Sequence, residues 1–231
     1  METINENLKP RAGSAFSHGW KVMSKNFISL FLAGLIVFAA GIPFMLLVNL
    51  DEISDVPGGI VAITLVFSQI FFMAYSLFIL SPLDYGMKWI YIKATREEKF
   101  EVAQMFDSFK VYLNVVLASL LSGAIIVFGF LFLIIPGIVF ACRLAFVPFL
   151  VMDKKLDAVK AVEESWRLTS GHGWRIFWMG IVSFFIVIAG LIVLVFGVII
   201  ASIWIQASFT SLYHAVLEEK GENISLTGTQ E

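Results

Sequence analysis

The sequence predicts an all-α integral membrane protein. Six transmembrane helices are arranged as three hairpins, each preceded by a short cytoplasmic amphipathic helix. Three observations predict this. The first is composition: 59% of the 231 residues are hydrophobic, 15% are charged, and mean hydropathy is +0.88. A globular domain is about 45–50% apolar and about 25% charged. The second is a set of four apolar stretches, two of them too long for a single crossing. The third is a motif that recurs in phase with those stretches.

Residues 26–48 and 59–81 are each one bilayer long. Residues 111–153 and 174–217 are about twice that length. At about 1.5 Å per residue such a run reaches about 60 Å, twice the hydrocarbon thickness, so each must fold back. Pro136-Gly137 breaks the first run into helices at 137–152 and 111–134. The second has no proline, and its break is expected around Gly197, giving helices at 174–195 and 198–217. Residues 1–220 are then a single membrane domain, and 221–231 read as a disordered cytoplasmic tail. The polar N-terminal stretch lacks an apolar core, so no cleaved signal peptide is expected.

Charge placement tests the helix count. With six helices, every Lys and Arg except Arg143 falls on one side, and the loop LDEISDVPG on the other side carries three acids and no base. The positive-inside rule then puts both termini in the cytoplasm. The single cysteine, Cys142, excludes an internal disulfide and a cysteine metal site.

The recurring motif is an aromatic residue followed by a base, with a glycine 14 residues after the aromatic. It reads Trp20-Lys21 with Gly34, Phe109-Lys110 with Gly123, and Trp166-Arg167 with Gly180. Ala15 also aligns with Ala161, Ser24 with Ser170 and Phe31 with Phe177. An aromatic ring sits comfortably among lipid headgroups, and the base meets phosphate. The glycine is expected to let helix backbones approach inside the bilayer. Trp20 and Trp166 read as interfacial anchors, with ligand binding the alternative.

Before the fifth helix, Val159, Val162 and Trp166 form an apolar stripe, and Glu163 stands four residues from Arg167, a favourable pairing distance. His172, between two glycines, is expected to be an exposed turn residue.

The block IPGIVFACRLAFVPFLVMDKKLDAVKAVEESWRLTSGHGWRIF resembles a signature of prokaryotic membrane proteins. That group includes the YciC-like family and the membrane domain found with some glycerophosphoryl diester phosphodiesterases. The shared features are Pro136-Gly137, Arg143, Ala161 to Trp166, Thr169, Gly171 and Trp174. The resemblance implies a six-helix membrane domain and a prokaryotic inner membrane. In such fusions the phosphodiesterase chemistry lies in a separate soluble barrel, for which this chain has no room.

Arg143 is the one base placed within the bilayer, near its midplane. Such a residue normally faces the protein interior. The polar partners expected for it are Gln69, Gln206 and Asp84. Two roles stay open: a structural lock between hairpins, or the anion-binding floor of an inward-facing cavity.

The chain carries no GxSxG, no HExxH and no phosphate loop. A non-enzymatic protein of membrane homeostasis or partner assembly is expected. A small transporter or lipid-handling protein using Arg143 is one alternative, and a membrane anchor for a separate glycerophosphodiesterase-type enzyme is another. Expected partners are the lipid bilayer with its anionic lipids, and a membrane protein or second copy. No cofactor, metal site or nucleic-acid partner is expected.

Overall fold

The computed structural model describes residues 10–47, 58–192 and 194–221. The expected tail at 222–231 and the acidic loop at 48–57 lie outside these. All regular structure among the described residues is helical. Six helical runs are long and apolar enough to cross a membrane.

Helix α1 (Ala12–Leu47) contains the first candidate span and is bent at Asn26 (φ −116°, ψ 20°). The Asn26 side chain donates to the Val22 carbonyl at 3.1 Å, competing with the backbone ladder there. Helix α2 (Gly58–Tyr75) passes through a π-helical turn, Ser76–Leu80, into α3 (Ser81–Thr95). The expected end at residue 81 is therefore corrected. The run Ile63–Thr95 has 33 residues, about 50 Å at 1.5 Å each, so its end projects beyond a bilayer of about 30 Å. Asp84, Lys88 and Lys93 all lie on α3.

A 3-10 segment, Val102–Val111, leads into α4 (Tyr112–Phe132). The chain then reverses at Leu133, which is extended (φ −165°, ψ 155°), three residues before the expected Pro136. Pro136 sits in the first turn of α5 (Ile134–Arg143), where its missing N–H costs nothing. Close packing at this reversal depends on glycine: a Cβ on Gly129 lies 2.6 Å from the Phe140 ring, and one on Gly137 enters the Phe130 ring.

The fourth span is broken after Arg143 and resumes as α6 (Val147–Asp153). Helices α7 (Ala158–Thr169), α8 (Gly173–Ile192) and α9 (Leu194–Glu219) complete the chain. Gly197 lies inside α9, so it is not the break. It is a contact point instead: a Cβ on Gly190 lies 2.8 Å from the Gly197 carbonyl oxygen.

The outer surface is what lipid requires. Phe67, Phe71 and Met73 on α2, and Phe128, Leu131 and Ile135 around the α4–α5 reversal, each expose more than half their surface. A soluble protein does not present such continuous apolar patches. The buried core concentrates toward the other end, where Phe149 stacks on Tyr213 (5.1 Å) and Phe146 meets the same ring edge-on (5.4 Å).

Candidate functional site

The three aromatic–base pairs occupy equivalent places. The residue just before each aromatic is small and buried: Gly19, Ser108 and Ser165. Gly19 lies against Ser208 of α9, where a Cβ meets the Ser208 nitrogen at 2.6 Å. Ser108 lies against Gly86 of α3, where a Cβ comes within 3.0 Å of its hydroxyl. Ser165 donates to the Arg143 carbonyl of α5 at 2.7 Å. The start of α1 thus docks on α9, the 3-10 segment on α3 and α7 on the end of α5. Trp20 and Trp166 remain part-exposed as their small neighbours dock, as does Phe109. The serines match as well: Ser24 donates to the Trp20 carbonyl (2.7 Å) and Ser170 to the Trp166 carbonyl (2.9 Å).

The recurring glycines do not share this role. Gly123 and Gly180 have nothing within 4 Å of an added Cβ, and Gly34 has only the Met87 methyl at 3.7 Å. The expectation of close helix approach at these positions is corrected. Gly19, Gly86, Gly129, Gly137 and Gly190 provide it instead.

On α7, the face bearing Ala161, Ser165, Leu168 and Thr169 is buried, and Val159 and Trp166 are left outside. Arg167 pairs with Glu164, not Glu163, through Nε at 2.9 Å and Nη2 at 2.7 Å. These bonds hold the Glu164 carboxyl below its usual range and raise Arg167. His172 is not exposed: its ring is buried, with Nε2 3.1 Å from Glu219.

Arg143 ends α5 beside the C-terminal end of α7. Its Nη1 donates to Ser170 Oγ at 2.9 Å, and its guanidinium lies 5.5 Å from the Trp166 ring centroid. Its carbonyl accepts from Ser165 and Thr169. Among the described residues none of the three expected partners bonds to it. Asp84 pairs with Lys88, Gln69 is exposed on α2, and Gln206 is half-buried on α9. The break after Arg143 is the physical reason, because it leaves the side chain at a helix end, facing the surface segment.

The buried charge cluster lies elsewhere. Arg96, just past α3, donates through Nη2 to Asp153 Oδ2 at 2.6 Å. The side chains are 10% and 2% exposed. Tyr213 also donates to that oxygen at 3.0 Å, and Arg96 Nε donates to His214 Nε2 at 2.8 Å, so that nitrogen carries the lone pair. On the same face of α9, one turn back, Ser211 meets His18 Nδ1 at 2.9 Å. This latch joins α3, α6, α9 and the start of α1. Sequence reasoning placed Arg96 and Asp153 as ordinary charges at the membrane edge. The one local signal was the Tyr-His pair within an otherwise small and apolar stretch of α9.

A groove opens where α1 crosses α9. It is lined by Phe16, Ser17, Trp20, Lys21 and Trp204, with a volume of about 620 Å³. The Trp204 indole N–H donates to the Phe16 carbonyl at 2.9 Å, and its ring meets Trp20 (5.2 Å) and Phe16 (5.8 Å) edge-on.

The family described as a domain of unknown function, DUF7847, matches residues 100–222, more than half of the chain. The chain belongs to this family. The DUF7847 match takes in the second and third aromatic–base pairs, Arg143, Asp153 and α9. Lys21 and Arg96 lie before it. No curated protein matches the chain, and neither does any solved structure.

Proposed function

We propose that this DUF7847 protein is a non-enzymatic, multi-pass protein of a prokaryotic cytoplasmic membrane, with both termini cytoplasmic. It serves membrane homeostasis by holding anionic lipid at its inner face. The observation that carries this reading is the threefold recurrence of an aromatic–base pair on a docked surface segment ahead of a span. Rings at headgroup depth fix the protein vertically, and the adjacent bases attract phosphate. Each surface segment with its two following spans forms one hairpin unit, and the three units close on one another. The one-sided distribution of bases supports the cytoplasmic placement. The resemblance to the YciC-like group supports a six-helix membrane domain.

The transporter reading called for Arg143 in an inward-facing cavity. Its bond to Ser170 and its place over Trp166 favour an interfacial role instead. The enzyme-anchor reading rests on resemblance alone.

The test is lipid retention in native mass spectrometry after reconstitution in nanodiscs of mixed phosphatidylcholine and phosphatidylglycerol. Preferential retention of phosphatidylglycerol supports the proposal. Retention in proportion to the supplied mixture overturns it.

A further inference from the structure

We infer that the groove between α1 and α9 is a specific site for the phosphate of an anionic phospholipid, with Lys21 as the anion-binding base. The inference rests on the reading above and assigns the lipid a place.

The three surface segments differ at one position. Two residues before each aromatic stand His18, Asp107 and Glu164, and the base follows three residues later. In the second segment Lys110 is held by Asp107 at 2.7 Å. In the third Arg167 is held by Glu164 through two hydrogen bonds. In the first the acid is replaced by His18, which turns inward to Ser211. Lys21 therefore lacks the intrahelical partner that its counterparts have, and no other acid bonds to it among the described residues. The next base along α1, Lys25, is held by Glu97 at 2.7 Å. An unpaired ammonium beside a pocket is a site for an anion.

The walls say which anion. Trp20, Trp204 and Phe16 present ring surface, and the Trp204 indole N–H is already committed to the Phe16 carbonyl. The rings thus offer apolar contact, with the Trp20 indole N–H as the one ring donor not committed among the described residues, which suits glycerol and the first acyl carbons below a phosphate. Ser17 supplies one hydroxyl at the same rim. A volume of about 620 Å³ fits a headgroup with its glycerol, within the range of about 300–1,000 Å³ usual for ligand pockets. A soluble anion makes no use of the aromatic walls.

The experiment compares full-length wild type with Lys21→Gln, Lys21→Arg, His18→Glu and Lys25→Gln in the same nanodiscs. Lys21→Gln is expected to weaken retention of the tightest phosphatidylglycerol about fivefold, the effect of about 1 kcal/mol per base near an anionic surface. Lys21→Arg keeps the charge and is expected to retain it. Lys25→Gln removes a base outside the aromatic–base pairs and already held by Glu97, and is expected to match wild type. His18→Glu, which restores the acid, is expected to act like Lys21→Gln. Excess inorganic phosphate is expected to leave the lipid in place. Three outcomes overturn the inference: Lys21→Gln retaining lipid like wild type, Lys25→Gln losing as much, or free phosphate displacing the lipid. Should wild type itself show no preference for phosphatidylglycerol, the proposed function fails too. A preference shared by Lys21→Gln removes only the groove.

Discussion

Asp153→Asn is expected to unseat the end of the bundle where α3, α6 and α9 meet. The Arg96 and Asp153 side chains are 10% and 2% exposed and 2.6 Å apart. With charge centres about 4 Å apart and an effective dielectric of about 20, their attraction is about 4 kcal/mol. Breaking a buried pair from one side typically costs about 3–5 kcal/mol, because the remaining charge is stranded. Asparagine keeps the shape and still accepts from Tyr213, and Arg96 keeps His214. The low end, about 3 kcal/mol, is therefore expected, more than a hundredfold in the folding equilibrium. The assay is unfolding in mixed micelles titrated with SDS, followed by tryptophan fluorescence. Arg96→Met combined with Asp153→Leu is expected to cost about 2 kcal/mol less than the sum of the single changes, since the pair leaves together. A single-variant loss under about 1 kcal/mol, or strict additivity, refutes the buried-latch reasoning.

Four further outcomes follow from named contacts. Gly86→Ala drives a methyl into the Met105 carbonyl, so it should lose at least about 2 kcal/mol, while Gly123→Ala, with open space around it, should be neutral or slightly stabilising in the same titration. Arg143→Gln should leave the protein assembled, at a cost of about 1 kcal/mol, because Ser165 and Thr169 bond its carbonyl and not its side chain; loss of the folded peak in size-exclusion chromatography contradicts this. Glu164 contributes in full above the ordinary glutamate range, and its contribution fades as pH falls through its lowered value, because Arg167 and Lys154 favour the carboxylate. The protection factors for hydrogen exchange across α7, taken against the intrinsic rate at each pH, should therefore fall in acid by an amount worth under about 1 kcal/mol, and Glu164→Gln should lack that acid step.

The helices were legible because each apolar run is long and, Arg143 and Arg175 apart, unbroken by internal charge. Their ends were less so, each for a physical reason. Pro136 marked a reversal, yet proline is tolerated in the first turn of a helix, so the chain turns at Leu133 instead. The membrane-length estimate stops helix two at residue 81, whereas the helix continues past the bilayer as α3 and pairs Asp84 with Lys88 one turn apart. The repeat of aromatic and base was readable from spacing alone. The small residue before each aromatic, which does the docking, carries no chemistry that sequence could flag. Arg143 attracted attention as a charge in an apolar run, but its meaning depended on a helix break at Leu144 to Phe146, for which Pro148 in the first turn of α6 was the only local signal. Arg96 and Asp153 lie 57 residues apart and look like solvated edge charges until the fold brings them together.

The account depends most on sidedness, since anionic lipid can be held at the inner face only if the surface segments lie there. Single cysteines at Glu163 on α7 and at Ser54, in a Cys142→Ser background, report it by reaction with a membrane-impermeant maleimide on intact cells. The account predicts that position 54 labels at once and that position 163 labels only after permeabilisation. Labelling of position 163 from outside contradicts it.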